Sequence, residues 1–454
     1  MMMTLTEASL ATGGIATDGA IEFAGVSTDS RSIAAGELFV ALDGERFDGH
    51  DFVADVLGRG AAAAMVSRAW AARHGAGLRL LAVDDTRLAL GHLAAHWRDA
   101  FAIPLLGITG SNGKTTVKEM CASILRAQFG DDAVLATAGN LNNDIGLPLT
   151  LLRLRAHHRA AVIEMGMNRA GEISYLTRLA SPTVALVNNA QRAHLEGLGS
   201  LAAVAQAKGE IFEGLGSDGV AVINADDPHA LRWRELAAGR AVIDFGLAGP
   251  AAVTARVAQD YFSSRLTLAT PKGSCQFELH VAGLHNARNA LAAAAACIAA
   301  DVPLEAVSRG LSGYRGIKGR LQLKPGVHGA RVIDDTYNAN PDSMRAAVDV
   351  LAALPGRRLL VIGDMGEVGE AGGQFHDELG GYAKSMGIDR LYCLGDLSPA
   401  AAHTFGHGGA HFGRVDDLIR ALKPELNETA TVLVKGSRFM RMERVVEAIE
   451  KREE

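Results

Sequence analysis

The sequence is poor in cysteine: Cys121, Cys275, Cys297 and Cys393 are its four, far apart and without a C-x-x-C pair. A disulfide framework and a thiolate zinc site therefore lack support, and buried thiols in a reducing cytoplasm are the expectation. Long apolar runs are missing as well. No stretch approaches the ~20 apolar residues of a membrane span, and the richest, 290–300, is mostly alanine and is closed by Asp301, as in a buried helix. The opening MMMTLTEASLATGG has no basic segment followed by an apolar one, so no secretion signal is read there. Neither sign of charge forms a run of five or six: 45 basic side chains face 51 acidic ones, net −6. Nucleic acid and lipid surfaces are not expected partners.

What is present points to a large α/β protein. At 454 residues, 48% hydrophobic and 21% charged, the chain has material for about three domains of ~150 residues. Fifty-two glycines and repeated strand-turn-helix alternation predict parallel sheets whose carboxyl edges carry functional loops. Residues 1–100 mix short strands and helices. Residues 101–316 alternate strands (LLGIT, AAVIE, TVALV, GVAVIN) with helices and end in the Ala-rich HNARNALAAAAACIAA, which predicts a central doubly wound domain. From Ile317 a new series (RVIDD, RRLLVIGD, DRLYCLGD, TVLVKGSR) predicts a smaller Rossmann-like α/β domain over 317–454.

The segment 107–116, GITGSNGKTT, joins an apolar strand to a helix whose apolar positions are Val117, Met120, Cys121, Ile124 and Leu125. Gly110, Ser111, Asn112 and Gly113 can turn backbone N–H groups to oxyanions, Lys114 can reach phosphates, and Thr115 and Thr116 open the helix, with the Thr115 hydroxyl facing Mg²⁺. The strict phosphate-loop spacing is not met, because five residues separate Gly107 from Gly113. Glu164 ends a neighbouring strand, where it could ligate Mg²⁺ or serve as a salt-bridged strand-end acid. His194 follows the strand TVALV on the same edge. Taken alone, that histidine reads as solvated or structural, and Lys208 as a surface charge.

Together these blocks resemble the Mur ligase family, ATP-dependent amide-forming enzymes of peptidoglycan precursor synthesis. TGSNGKTT is similar to the family's variant phosphate loop, and EMGMNRAGEI, NNAQRAHLEGLGS, AKGEIF, GLHNARNALAAAA and GRLQ follow in the family's order. DDTYNANPDSM (334–344), TAGNLNNDIGLPLTLL (137–152) and GDMGEVGE (363–370) resemble the branch that adds D-Ala-D-Ala to UDP-MurNAc-tripeptide. The D-Y-A-H-T-P-D type block and D-N-P-R motif of the branch adding the third amino acid are absent.

The resemblance implies a site, residue by residue. Lys114, Lys208, His194 and Arg320 form the catalytic set. Gly110 to Thr116 by way of Ser111, Asn112, Gly113, Lys114 and Thr115 bind ATP phosphates, with Asn286 and Asn289 at adenine, Arg320 at the phosphates and Asp335 at ribose. Thr115, Glu164, His194 and a carbamylated Lys208 hold two Mg²⁺ ions. STDSR (27–31), with Ser30 and Arg31, and ALDGERFDGH (41–50) hold the UDP end, and Asn338 with the loop 435–438 faces the dipeptide. Alternatives are a capping role for Asn286, a strand-end role for Asp335, packing or turn roles for Tyr337 and Asn338, and solvated charges for KGSR. A cytoplasmic monomer is expected. Rival readings are a MurE-like or folylpolyglutamate-synthase-like ligase, or a nucleotide-binding protein without catalysis.

Overall fold

The computed structural model describes residues 1–44, 47–192 and 195–451. Its central sheet has six parallel strands, ordered Ala241–Phe245, Val220–Asn224, Val184–Val187, Leu105–Thr109, Ala160–Glu164 and Val134–Ala136. The three innermost by sequence pattern, Val184–Val187, Leu105–Thr109 and Ala160–Glu164, are buried throughout, as apolar runs covered on both faces must be. Leu106 pairs with Val162 on one side and Val184 on the other. That register brings the phosphate loop after Thr109, the carboxylate of Glu164 and the loop after Val187 to one edge.

The helices Lys114–Phe129 and Leu284–Ala299 pack in the same core. Alanine on nearly every side lets the second approach its neighbours closely, and Cys121 and Cys297 are buried between the two. Cys393 is buried too, but Cys275 is half-exposed, against the expectation for all four thiols. Strand-helix alternation also misses an antiparallel meander, Thr254–Gln259, Ser264–Thr270 and Gly273–Leu279. Its strands carry the period-2 pattern of a sheet with one wet face: Leu266, Leu268, Phe277 and Leu279 point to the core between exposed polar neighbours.

The C-terminal sheet runs Gln322–Pro325, Arg331–Asp335, Ala430–Lys435, Arg357–Gly363, Arg390–Leu394, Gly409–Phe412, parallel except for the first strand. The N-terminal sheet runs Ile15–Ala16, Leu80–Val83, Ala63–Ser67, Glu37–Val40, Gly25–Ser27, again with one antiparallel edge. The α/β class, with three domains around a doubly wound centre, is thus the fold of the chain.

The helix Thr86–Asp99 ties the N-terminal sheet to the centre. Asp85 caps it, accepting from the N–H groups of Arg87 and Leu88 at 2.8 and 3.0 Å. Trp97 Nε1 donates to the Leu154 carbonyl and Arg98 Nε to that of Ala180, each at 3.1 Å. A methyl group on Gly91 would drive into the Tyr175 hydroxyl and press on Leu179 at 3.2 Å, so glycine sets this close approach. Among the described residues no helix is long and apolar enough to cross a membrane.

Candidate active site

The phosphate loop is shaped by two glycines. Gly113 has φ +77° and sits immediately before the helix Lys114–Phe129, where a side chain would meet Asn289 Oδ1 and, at 2.8 Å, Asn188 Nδ2; Gly110 has φ +155°. The loop is fastened to the segment after Val187. Ser111 N donates to the Asn189 carbonyl at 3.0 Å, Ser111 Oγ accepts from Gln191 N at 2.9 Å, and Asn112 N donates to Asn189 Oδ1 at 2.8 Å. Lys114 Nζ curls over its own loop, donating to the Gly110 and Ser111 carbonyls at 2.6 and 3.1 Å. Burial lowers its pKa, while Glu164 pulls the other way.

Beside the loop stand two buried groups whose polar atoms are incompletely used. Glu164 is 2% exposed; its Oε1 accepts from Asn142 Nδ2 at 2.7 Å, and its Oε2 has no hydrogen-bond partner among the described residues. Lys208, at the end of the helix Leu201–Gly209, is fully buried and its Nζ also has no hydrogen-bond partner among the described residues. The surface-charge reading of Lys208 is thereby overturned: burial first, and then the charge of Lys114, push its pKa well below the ordinary lysine value, against the pull of Glu164, Glu210 and Glu172. A buried ammonium without a counter-ion is costly, so these surroundings favour the neutral amine.

The C-terminal domain supplies the facing wall. Arg320 Nη2 donates to Thr115 Oγ1 at 2.9 Å, and its guanidinium lies 4.3 Å over the Tyr337 ring. Asp335 Oδ2 pairs with Lys435 Nζ at 2.7 Å, and burial raises the Asp335 pKa in spite of that partner. Lys435 is buried and also donates to the Asn338 carbonyl at 2.8 Å, so it is not a solvated charge. Arg438 is, with Glu443 at 3.0 Å. Asn338 is exposed and accepts from Ala339 N through its own Oδ1 at 2.9 Å, the geometry of a turn. Asn286 is not the cap of its helix, because Gly283 holds that position. Its Nδ2 donates to the Ala282 carbonyl at 2.8 Å and its Oδ1 accepts from Asn289, whose own Oδ1 accepts from Asn188 Nδ2 at 3.0 Å.

Most of these surround a cleft of about 1650 Å³ that spans the three domains; Gly110 and the buried Lys208 are not on its walls. Gly113, Lys114, Thr115, Thr116 and Glu164 line one side, Arg320, Asp335 and Asn338 another, and Asp85 and Arg87 the N-terminal side. Ser30 and Arg31 are not on its walls; Arg31 is exposed and paired with Asp29 at 2.7 Å. His194 lies outside the described residues. Among the described residues no group of three His, Cys, Asp or Glu side chains converges on a metal position. The sequence reading passed over Asn142, Asn188, Asn340, and Arg192 with Asp342, although each falls in a block quoted for the resemblance. No lone amide signals a role until the fold shows what it touches.

Comparisons with known proteins agree along the chain. Residues 22–98 match the model of the Mur ligase family catalytic domain, 108–297 that of the Mur ligase middle domain, and 319–438 that of the Mur ligase glutamate ligase domain. The UDP-N-acetylmuramoyl-tripeptide–D-alanyl-D-alanine ligase of Escherichia coli (strain K12) is 46% identical, covering 94% of this chain and 93% of its own. A crystal structure of MurF from Acinetobacter baumannii superposes with a TM-score of 0.91 at 37% identity over 98% of each chain. MurF ligase from Thermotoga maritima in complex with ADP gives 0.81 at 27% identity, over 94% of this chain and 97% of the other.

Proposed function

The chain belongs to the Mur ligase family, and from that premise we propose that it joins D-Ala-D-Ala to UDP-MurNAc-tripeptide at the expense of ATP, in the cytoplasmic assembly of the peptidoglycan precursor. The observation that carries the chemistry is a pair of buried atoms, Glu164 Oε2 and Lys208 Nζ, that have no hydrogen-bond partner among the described residues. A free carboxylate oxygen and the Thr115 hydroxyl suit a hard cation such as Mg²⁺. A lysine ammonium does not, but a neutral lysine amine can add CO₂, and the resulting carbamate offers oxygens of the right charge. Glu164, Thr115, carbamylated Lys208 and His194 are the proposed holders of two Mg²⁺ ions, which when bound would neutralise charge between carboxylate and triphosphate.

In the reaction, the tripeptide's terminal carboxylate attacks the γ-phosphorus of ATP, the P–O bond to ADP breaks, and an acyl phosphate forms. The D-Ala-D-Ala amine, as the free base, then attacks the acyl carbon and phosphate leaves. Two like charges 4 Å apart repel by about 4 kcal/mol at an effective dielectric near 20, so Lys114 and Arg320 are needed where anions meet. Asn286 and Asn289 are assigned to adenine, Asp335 to ribose, Ser30 and Arg31 to the UDP end, and Asn338 with the loop 435–438 to the dipeptide. Residues 1–100, 101–316 and 317–454 act as three units, with a hinge at Ile317. Their closure around the cleft would keep water from the acyl phosphate.

The test is a coupled assay with ATP, Mg²⁺, UDP-MurNAc-tripeptide and D-Ala-D-Ala, following phosphate release and product mass. Ligation of a diamino acid onto UDP-MurNAc-dipeptide, with D-Ala-D-Ala ignored, would move the protein to the branch that adds the third residue.

A further inference from the structure

Resting on the ligase reading above, we infer that Asn340 is a positioning residue for the ATP chemistry: from the C-terminal domain it grips Asn112 and so fixes the turn of the phosphate loop. Asn340 opens the helix Pro341–Ala352. Its Oδ1 accepts from Ser343 N at 2.9 Å, and Ser343 Oγ accepts from Asn340 N at 3.0 Å. Serine would cap this helix about as well. What an amide adds is a second face: Asn340 Nδ2 donates to Asn112 Oδ1 at 2.7 Å, while Asn340 Oδ1 accepts from Asn112 Nδ2 at 3.3 Å. A hydroxyl is too short to make that reciprocal pair.

Asn112 has no polar group left over. Its N donates to Asn189 Oδ1 at 2.8 Å, its carbonyl accepts from Asn188 Nδ2 and Asn189 Nδ2 at 2.9 and 3.0 Å, and its Nδ2 also donates to Gln191 Oε1 at 2.6 Å. Its side chain is therefore spent on holding the loop. The Gly113 N–H, in the same peptide as the Asn112 carbonyl, is oriented by the bonds of that carbonyl to Asn188 and Asn189, and the Ser111 N–H is held by the Asn189 carbonyl. Two further cross-domain contacts flank the pair: Arg192 Nη2 with Asp342 Oδ1 at 2.7 Å, and Arg320 with Thr115. Docking of the C-terminal domain thus converges on residues 112 and 115 of the phosphate loop and helix start.

The experiment compares wild type, Asn340→Ser, Asn112→Ala and the double variant as full-length proteins. Two quantities are read: kcat and KM for ATP in ligation, and hydrogen exchange of residues 107–120 with Mg·ATP present. Asn340→Ser should melt within a degree or two of wild type, lose on the order of tenfold in kcat with a smaller change in KM, and exchange faster in the loop. In the Asn112→Ala background the same change should cost little more, since its partner is gone. Wild-type kcat and exchange in Asn340→Ser, or losses that multiply in the double variant, would overturn the inference. A wild-type protein that binds ATP but ligates nothing would instead overturn the ligase reading, and the exchange data would still decide the role of Asn340.

Discussion

Between the N-terminal and central domains one apolar cluster runs unbroken, from Leu5, Leu38 and Leu93 to Leu147, Ile163 and Leu179. Between the central and C-terminal domains the side chains that meet are mostly polar: Asn112 with Asn340, Arg192 with Asp342 and Glu378, Arg320 with Thr115. The C-terminal domain keeps two clusters of its own on the faces of its sheet, one of them touched from the central domain by Phe262. Burial of apolar area is non-directional and holds at every approach, whereas hydrogen bonds across a seam exchange with water at small net cost. The second seam, on which the phosphate loop lies, is the one suited to the proposed hinge at Ile317.

That contrast is tested most severely at Lys114. Lys114→Ala should lower kcat by on the order of 10⁴ with little change in melting temperature, because among the described residues the lysine hydrogen-bonds only to its own loop; near-normal phosphate release in a folded variant would sink the site. Next comes the apolar seam. Leu93→Ala should cost about 2–5 kcal/mol in denaturant unfolding, with the N-terminal and central domains unfolding in one transition. Arg192→Ala, across the polar seam, should cost about 1 kcal/mol or less. Equal losses, or a separate N-terminal transition in Leu93→Ala, would erase the distinction. A step smaller is Lys208→Ala, expected to lose on the order of 10² in kcat and to regain part of it with added formate or acetate. Absence of both rescue and carbamate would remove the lysine from the metal site.

The strands were legible because they are continuous apolar runs bounded by glycine, and 105–109, 160–164 and 430–435 are read from LLGIT, AAVIE and TVLVK directly. The meander at 254–279 was not, since its alternating strands place polar residues at every other position and so lack a continuous apolar run. Within the site, residues with an unusual chemistry for their place announced themselves: a lysine after glycines, an acid ending a buried strand. Asn142, Asn188 and Asn340 did not, because an amide's role is set by which two partners the fold presents to it. Lys208 taken alone reads as a surface charge; the resemblance of its block moved it to the site, and its burial removes the surface reading.

The smallest expected effect lies at His285, which lines the cleft on the polar seam. Burial, then the charges of Lys435 and Arg288, push its pKa down to about 4, so the folded protein holds it neutral at pH values where an unfolded chain, titrating near 6.5, has taken up a proton. Unfolded molecules then bind more protons than folded ones between about pH 6.5 and pH 4, and stability falls as pH is lowered through that window. The full shift corresponds to roughly 3 kcal/mol, but the ring is half-buried, and solvent screening reduces the expected share to about 1 kcal/mol. Denaturant midpoints at pH 7 and pH 4.5 should therefore differ less in His285→Gln than in wild type, by about that amount. A ring-proton titration with its midpoint near 6.5 in the folded protein would show that the two cations do not bear on His285, and that the polar seam stands more open in solution than the paired contacts around Asn112 describe.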